Sequence, residues 1–379
     1  MVIPGPLPQP TAANDTDHMA RALGLAERGR GQTSPNPMVG ALVVNDDGVV
    51  VGRGAHAFAG GPHAEVVALN DAGPRAKGAT LYCTLEPCNH TGRTGPCAPR
   101  VAAAGIRRAV IAMTDPNPIV SGRGVGYLRE HGVSVTVGTL SGAALRLNRP
   151  FVTVMERHRP FVTMKAALSA DGKVAGVRGA RTRLTGPAAD RYIHRERAEV
   201  DAIAVGAGTV LADDPLLTPR IAYRQRPLVR VIFDRRLRTP PSARVLSTLE
   251  AGPVIIVTTA DAFPAARSQA DALEQAGARL EVLEGDSPGA EYDLRAACGR
   301  LMERGVTSFI LEGGPTLHRA AWQAGLVDRV QLFVTPRTLG EGAIPWLSDP
   351  DVHLTGLDEV SRTALGDDIM IEGYVHGTD

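Results

Sequence analysis

The alternation of apolar and polar residues divides the first half of the chain into short strands and amphipathic helices. The spacing of apolar residues predicts a helix over 17–28, and helical character returns at 63–70 and 97–104. Strand-like runs occupy residues 38–45, 48–52, 79–84, 108–113 and 133–137. Strands that alternate with helices in this way indicate an α/β sandwich.

The pattern changes around residues 147–160, where two prolines and several basic residues obscure any single period. We place a domain boundary here and expect a disordered, proline-rich lead over 1–16, a first domain over 17–158 and a second over 159–379. Further strand-like runs follow at 161–166, 200–205, 228–233, 253–258, 307–311 and 329–335. Helical stretches at 187–197, 262–276, 293–304 and 316–324 alternate with them and predict a second α/β domain.

Composition narrows the classes of partner. The formal net charge of +1 gives no basic bias for nucleic acid, so we expect none and favour small polar substrates. No apolar run approaches the roughly 18 residues of a membrane span, so no membrane partner is expected. Four cysteines in 379 residues do not form a disulfide framework. A reducing cytoplasm is therefore expected, and we also expect a homo-oligomer.

One constellation in the first half carries metal chemistry. His63-Ala64-Glu65 lies upstream of CTLEPCNHTGRTGPC, which contains Cys88 and Cys97. Zinc deaminases use one His and two Cys as ligands, with a nearby Glu that does not bind the metal. A catalytic zinc takes three protein ligands and leaves the fourth position to water. We predict a hydrolytic zinc site with His63, Cys88 and Cys97 as ligands and Glu65 as the proton carrier.

The alternative is a structural zinc site, in which His90 would be the fourth ligand. The catalytic interpretation is favoured because Glu65 would have no role in a closed site. The spacing is unusual, since eight residues separate Cys88 from Cys97 whereas the general deaminase pattern has two.

The motifs HAE, TLEPCNHTGRTGPC and SPNPMVG, the last of which contains Asn36, resemble the deaminase half of the bifunctional riboflavin-biosynthesis deaminase/reductase family. In that family the second cysteine is displaced in the same way, and the resemblance covers nearly the whole chain. It implies hydrolysis of the C2 amino group of 2,5-diamino-6-ribosylamino-pyrimidin-4-one 5′-phosphate. It also implies that Asn36, His90 and Arg93 line the substrate pocket, with Arg93 on the phosphate side.

In the second half, three clusters each run from a strand into a turn rich in Gly or Asp, where open α/β sheets bind ligands. They are MKAALSADGK, VDAIAVGAGTVLADDPLLTPR and FILEGGPTLH. In the last, a helix beginning at Thr316 would offer free N–H groups to a pyrophosphate. The run GRGVG at 122–126 lacks the Rossmann spacing and predicts only a turn and a helix start.

The family's reductase half is similar in fold to dihydrofolate reductase and uses NADPH, which implies roles for these clusters. Lys165 and Asp213 are expected nearest the reacting carbon. The implied substrate contacts are Arg181, Arg197, Leu217, Arg220 and Glu312. The implied cofactor contacts are Ala167, Arg183, Thr209, Asp213, Arg235, Gly314, Pro315, Thr316, Leu317, His318, Arg319 and Ala320.

Two departures and one open alternative concern this second site. Family members usually carry Trp-Ile-Thr-Ser where this chain has Arg183-Leu184-Thr185-Gly186, and Leu where it has Ala170. Arg183 can still stack through its guanidinium plane. The pair Arg235-Arg236 could bind the 2′-phosphate of NADPH or be a solvated strand end.

The leading hypothesis is therefore a bifunctional enzyme that combines zinc-dependent deamination with NADPH-dependent reduction. One alternative is a deaminase whose C-terminal domain only binds substrate or oligomerises. Another is a nucleic-acid-editing deaminase, which the near-neutral charge disfavours.

Overall fold

The structure of the chain is a computed structural model that describes residues 14–90, 95–177, 182–220, 222, 224–284, 293–347 and 354–377. The chain forms two compact units, Met1–Glu156 and Arg157–Asp379. Each unit has its own sheet and its own apolar core. Among the described residues, none of the helices is both long enough and apolar enough to cross a membrane.

The first unit is built on a mixed sheet. Its strands are β1 (Gly40–Val44), β2 (Val50–Ala55), β3 (Thr80–Cys83), β4 (Arg108–Ile111) and β5 (Ser134–Val137). They lie in the order β2-β1-β3-β4-β5; β1 is antiparallel to β2 and β3, whereas β3, β4 and β5 are parallel. The helices are α1 (Asp15–Ala26), α2 (Ala64–Ala72), α3 (Cys97–Ala103), α4 (Arg123–Glu130), α5 (Ser141–Leu147) and α6 (Arg149–Arg157).

Glycine lets two helices lie directly on this sheet. A Cβ atom on Gly40 would lie 2.0 Å from the carbonyl oxygen of Ala22 in α1, and one on Gly54 would lie 2.0 Å from that of Ala64 in α2. No larger residue fits either position without moving a helix. The contact at Gly54 fixes the N-terminal end of α2, which is the end that carries His63 and Glu65.

The second unit is organised by a larger, mostly parallel sheet. Its strands are β6 (Phe161–Leu168), β8 (Ala202–Gly206), β9 (Val229–Phe233), β10 (Val254–Thr259), β11 (Ala278–Leu283), β12 (Ser308–Leu311), β13 (Arg329–Val334), β15 (Asp358–Leu365) and β16 (Asp368–Tyr374). Their order is β11-β10-β9-β8-β12-β6-β13-β16-β15, with antiparallel pairing only from β13 through β16 to β15. The helices are α7 (Pro187–Glu199), α8 (Ala207–Asp213), α9 (Ala262–Ala265), α10 (Arg267–Gln275), α11 (Leu294–Glu303) and α12 (Pro315–Gln323).

A short antiparallel ribbon accompanies the larger sheet. It pairs β7 (Lys173–Ala175) with β14 (Ile344–Pro345). Short 3₁₀ helices occur at Glu27–Gly29, Gly73–Ala76, Arg244–Ala251 and Leu354–Gly356.

Several predictions about local structure need correction. The lead was expected to extend to residue 16, but α1 begins at Asp15 because Asn14 and Asp17 form a reciprocal capping box; residues 1–13 lie outside the described part. The helix predicted over 262–276 is two helices, because Ala266 has non-helical backbone angles (φ −114°, ψ 27°). The glycine run at 122–126 does begin a helix, as predicted, with Gly122 as the N-cap.

The pattern of apolar and polar residues also failed to predict several helices and strands. The helix α6 crosses the stretch that showed no single period, because Pro150 and its basic residues obscure the apolar face. The strand β15 is exposed along almost its whole length and so has no apolar alternation to detect. The other missed elements are α5, α8, β7, β11, β14 and β16.

Candidate functional site

The structure brings one imidazole and two thiols together in the first unit. The donor atoms of His63, Cys88 and Cys97 all lie within 4.8 Å of one another. The Nδ1 atom of His63 is 3.2 Å from Sγ of Cys97 and 3.6 Å from Sγ of Cys88. One nitrogen and two sulfur donors fit a zinc ion that keeps an open fourth position. His90 is exposed and is not part of this group among the described residues, so a closed site with His90 as fourth ligand is not supported.

The ligands lie at the ends of three elements. His63 is the N-cap of α2, Cys97 is the first residue of α3, and Cys88 follows the turn after β3. The backbone N–H groups of Cys97 and Ala98 both donate to the carbonyl oxygen of Cys88 at 3.0 Å. This pair of bonds joins the two cysteines although eight residues separate them in sequence.

Burial and proximity shift the pKa values of these groups. Burial raises the pKa of Glu65, which is 3% exposed in the first turn of α2, to about 7. A carboxyl group with a pKa near neutrality can both accept and donate a proton. Hydrogen bonding from Cys97, assisted by His63, lowers the pKa of Cys88 to about 4, and the same contact raises that of Cys97. The site therefore favours a thiolate at Cys88, the form that binds metal.

Glu86, which the sequence analysis did not single out, organises the turn before Cys88. Its buried carboxylate accepts backbone hydrogen bonds from Asp115 (3.2 Å), Gly122 (3.0 Å), Gly124 (2.9 Å) and Val125 (3.0 Å). The last three N–H groups belong to the N-terminal end of α4, where a negative charge is favourable. Glu86 thus holds α4 against the turn that precedes Cys88. The sequence feature that could have identified Glu86 is an acidic residue within the otherwise uncharged TLEPC motif.

Asn36 lies on a second chain of hydrogen bonds that reaches the metal ligands. Its Nδ2 is 3.1 Å from Nε2 of His56, whose Nδ1 is 3.1 Å from the carbonyl oxygen of Pro62. An amide nitrogen only donates and a carbonyl only accepts, so His56 is neutral with its proton on Nδ1. This arrangement orients Asn36 and fixes the residue before His63. No motif in the sequence identified His56, and Arg93 lies outside the described residues.

A wide cleft in the second unit gathers most residues of the second constellation. At its centre the Glu312 carboxylate accepts from Nε and Nη2 of Arg197 at 2.8 and 2.7 Å, and Lys165 Nζ lies 3.7 Å away. Burial alone would raise the pKa of Glu312, but Arg197 and Lys165 outweigh it and lower that pKa to about 2. Burial lowers the pKa of Lys165. The group supplies a fixed carboxylate and two cations at the end of β12.

The glycine turn and α8 form further parts of the cleft wall. The helix α12 begins at Pro315 rather than at Thr316, with Gly314 as the N-cap, so the free N–H groups are those of Thr316 and Leu317. A Cβ atom on Gly314 would meet no protein atom within 4 Å, so the turn leaves room for a ligand beside the helix N-terminus. These features fit a pyrophosphate. Other predicted residues on the wall are Ala167, Thr209, Asp213, Leu217, Arg220, Arg319 and Ala320.

His318 was expected to contact the cofactor, and the structure corrects this. Its side chain is 0% exposed and does not line the cleft. The reason is helical geometry: in α12 the side chain of His318 points into the core, whereas those of its neighbours Leu317 and Arg319 reach the cleft wall.

Only one residue of the pair Arg235-Arg236, considered for the 2′-phosphate of NADPH, lies on the cleft wall. Arg235 lines the cleft together with Arg238 and Arg244, whereas Arg236 does not. Arg183 also lines it; its side chain is 68% exposed and its Nη2 donates to Asp190 at 2.8 Å. Arg181 lies outside the described residues.

Comparisons with known proteins identify a family for each half of the chain. A family model described as the cytidine and deoxycytidylate deaminase zinc-binding region matches residues 12–113, and the RibD C-terminal domain model matches residues 160–371. The riboflavin biosynthesis protein RibD of Aquifex aeolicus is 39% identical over 94% of this chain and 97% of that protein. RibD of Escherichia coli is 41% identical over 87% of this chain and 89% of that protein.

Solved structures extend the similarity to the whole fold. Acinetobacter baumannii RibD (form 1) matches with a TM-score of 0.81 and 34% identity, covering 96% of this chain and 99% of that chain. A Thermotoga maritima diaminohydroxyphosphoribosylaminopyrimidine deaminase/5-amino-6-(5-phosphoribosylamino)uracil reductase matches with a TM-score of 0.80 and 34% identity, covering 95% and 98%.

The predicted pairing of two α/β domains, a cytidine-deaminase-like one and a reductase one, is confirmed. Both catalytic domains are present, so a non-catalytic C-terminal module and a nucleic-acid editor are set aside. The chain belongs to the RibD family and is a bifunctional enzyme of riboflavin biosynthesis, with a zinc-binding deaminase domain and a reductase domain of the NADPH-dependent type.

Proposed function

We propose that the first unit deaminates 2,5-diamino-6-ribosylamino-pyrimidin-4-one 5′-phosphate and that the second unit reduces the ribosyl group of the product to a ribityl chain. The observation that carries the deaminase assignment is the buried Glu65 carboxylate beside the three donors His63, Cys88 and Cys97. A carboxylate that is not needed as a ligand indicates hydrolysis rather than a structural zinc. The proposed domains are a first domain that begins with α1 at Asp15 and ends at residue 158, and a second over residues 159–379.

The proposed deamination uses Glu65 to move protons. A zinc ion in such a site supplies a water whose pKa is lowered to about 7. Glu65 accepts the proton of this water as its oxygen bonds to C2 of the pyrimidine. Glu65 would pass this proton to the ring nitrogen, then take the proton of the new C2 hydroxyl group and deliver it to the amino group, which would leave as ammonia while a C2 carbonyl forms. Asn36, His90 and Arg93 are the proposed substrate contacts, with Asn36 held by His56.

The proposed reduction takes place in the cleft around Lys165 and Glu312. Bound NADPH would supply a hydride for C1′ of the ring-opened ribosylamino group, and the nitrogen attached to C1′ would take a proton from a group of the cleft. Lys165 and Asp213 are the proposed polar groups nearest this carbon. The lowered pKa of Lys165 favours it as a proton donor at neutral pH. The proposed substrate contacts are Arg181, Arg197, Leu217, Arg220 and Glu312.

NADPH is proposed to bind along the glycine turn, with its pyrophosphate at the N–H groups of Thr316 and Leu317. The proposed cofactor contacts exclude the side chain of His318. They are Ala167, Arg183, Thr209, Asp213, Arg235, Gly314, Pro315, Thr316, Leu317, Arg319 and Ala320. For the 2′-phosphate we propose Arg235 with Arg238 and Arg244, because these three line the cleft and Arg236 does not. A cluster of arginines supplies the paired donors that a phosphate needs.

The experiment that tests this function follows both steps in one purified protein. Ammonia release from the diaminopyrimidine nucleotide measures the first step, and NADPH oxidation measures the second. We expect NADPH oxidation only when the deaminated product is present, and an Asp213→Asn variant that loses oxidation but keeps ammonia release. Failure to oxidise NADPH with the deaminated product would contradict the proposed reduction, and release of ammonia from RNA would contradict the small-molecule substrate.

Two further proposals concern the setting of the enzyme. A cytoplasmic location is supported by Cys88 and Cys97, because both thiols must stay reduced to bind zinc. A homo-oligomer remains a prediction, which light scattering of the purified protein tests.

A further inference from the structure

One buried histidine joins two walls of the reductase cleft without contacting the cleft itself. His318 lies in α12, and its Nδ1 is 2.8 Å from the indole Nε1 of Trp346. Its Nε2 is 3.1 Å from the carbonyl oxygen of Leu311 and 3.1 Å from the backbone nitrogen of Gly313. The ring therefore touches the end of β12 and the glycine turn on one side and Trp346 on the other.

The partners determine the protonation of this ring. An indole N–H only donates, so Nδ1 of His318 accepts and the proton lies on Nε2, which donates to the carbonyl oxygen of Leu311. A protonated Nε2 does not accept from the N–H of Gly313, so the contact with Gly313 is one of proximity only. Burial lowers the pKa of His318 to about 4, so the imidazole is neutral in the working range of the enzyme. The ring is thus held in one tautomer and one orientation.

Trp346 connects the ring to the ribbon of β7 and β14. It directly follows β14, it is 7% exposed, and its backbone N–H donates to the carbonyl oxygen of Gly172 at 3.2 Å. Val174, Ala175 and Ile344 of this ribbon line the cleft. A displacement of Trp346 would therefore displace one wall of the cleft relative to the glycine turn.

We propose that His318 and Trp346 form a positioning pair that fixes the glycine turn relative to the ribbon of β7 and β14, and thereby sets the affinity of the reductase for NADPH. The inference rests on the proposed assignment of the glycine turn to NADPH. The pair acts through the carbonyl group of Leu311, at the end of β12 where the glycine turn begins, and through the ribbon, because the His318 side chain is absent from the cleft wall. A merely space-filling pair would need none of the directed hydrogen bonds around this ring.

Two substitutions test the contributions of Trp346 and His318 separately. Trp346→Phe keeps an aromatic ring and removes the N–H donor together with part of the indole volume, a loss of volume that the Trp322→Phe control also makes. His318→Asn can keep the acceptor near Nδ1 and loses the contact of Nε2 with Leu311. We expect either variant to raise the KM for NADPH about fivefold to tenfold, with kcat within twofold of the original. Both substitutions break the same linkage. The KM of the double variant for NADPH should therefore be no higher than the higher of the two single-variant values.

Controls are available within the same chain. Trp322→Phe makes the same chemical change at the other tryptophan of the chain, which lies in α12 and to which we assign no role in binding, and should leave the KM for NADPH within twofold. Ammonia release by the first unit should be unchanged in every variant. A KM for NADPH within twofold of the original in both Trp346→Phe and His318→Asn would overturn the proposal, as would multiplicative effects in the double variant.

Gly314→Ala distinguishes failure of this inference from failure of the NADPH assignment. Gly314 has φ −76° and ψ 175°, which any residue adopts, and its added methyl would meet no protein atom within 4 Å. The variant should fold normally and obstruct only a ligand. If Gly314→Ala raises the KM for NADPH but the two pair variants do not, the positioning role alone is wrong. If Gly314→Ala leaves this KM unchanged, the assignment of the turn is wrong.

Discussion

The backbone N–H of Cys97 donates to the carbonyl oxygen of Cys88 at 3.0 Å, so the two cysteines are joined directly despite eight intervening residues. The spacing that departs from the general deaminase pattern therefore does not separate the thiols in space. Both sulfur atoms remain within reach of Nδ1 of His63. Cys88 and Cys97, at the two ends of the insertion, keep the geometry of a three-donor zinc site with His63.

Substitution of Glu65 should separate zinc binding from catalysis. Glu65→Gln removes the proton carrier but none of the three donors, so we expect full zinc content and a loss of ammonia release of about 10²–10⁴-fold. Cys88→Ala should lose both zinc and ammonia release. Zinc content and ammonia release are measured on the same preparations, and NADPH oxidation with the deaminated product shows that the second unit is intact. Near-normal turnover in Glu65→Gln would show that another group carries the proton.

Substitution of Glu86 should weaken zinc binding, because Glu86 holds α4 against the turn that precedes Cys88. Glu86→Gln replaces an acceptor of four backbone hydrogen bonds by a group with one oxygen, so at least two buried N–H groups lose their partner. We expect destabilisation of the first unit by about 2–4 kcal/mol and faster loss of zinc to a chelator. Glu130→Gln, at the exposed end of the same helix α4, is the matched control.

Substitutions of two glycines in α4 test whether close packing of this helix against the turn before Cys88 is needed. A methyl group on Gly124 would lie 1.9 Å from the carbonyl oxygen of Pro87, whereas one on Gly126 would meet nothing within 4 Å. Gly124→Ala should therefore lower zinc retention and ammonia release, and Gly126→Ala should leave both unchanged. Equal behaviour of the two variants would show that α4 does not need to lie against the turn before Cys88.

Removal of the Glu312 charge should damage the second unit selectively. Glu312→Gln leaves the guanidinium of Arg197, which is 13% exposed, without its carboxylate partner. Breaking a buried ion pair in this way costs about 3–5 kcal/mol, so we expect lower stability and loss of NADPH oxidation. Both tryptophans lie in the second unit, so fluorescence-monitored urea unfolding reports on that unit. Glu303→Gln, whose exposed carboxylate pairs with Arg300, should change stability by less than about 1 kcal/mol.

The stability of the second unit should depend on pH through His318. Burial lowers its pKa in the folded protein to about 4, below the value of about 6.5 in the unfolded chain. A lowered histidine pKa means that the neutral form is favoured by folding, so the contribution is complete above pH 6.5 and is lost as the pH falls towards 4. The full difference corresponds to about 3 kcal/mol.

The difference in unfolding free energy between the original protein and His318→Asn isolates this contribution from those of other histidines. It should shrink between pH 7 and pH 5, again followed by tryptophan fluorescence. A difference that stays constant over this range would mean that His318 is not held neutral in the folded state.

The sequence alone determined the chemistry of the first site, because zinc deamination needs specific donor types, and His63, Glu65, Cys88 and Cys97 lie in compact motifs. It also determined the alternation of buried strands and helices, since the sheet interior needs continuous apolar runs such as those of β1 and β8. An exposed strand such as β15 has no such requirement and left no signal.

Only the tertiary structure decided which residues hold these groups in place. Glu86 and His56 act through backbone groups and through residues far away in sequence, and backbone hydrogen bonds leave no trace in residue types. The direction of a helical side chain is set by packing, which is why His318 belongs to the core while Arg319 beside it lines the cleft. Likewise, Arg235, Arg238 and Arg244 line the cleft and Arg236 does not, a difference between neighbouring residues that depends on the path of the folded chain and not on residue type.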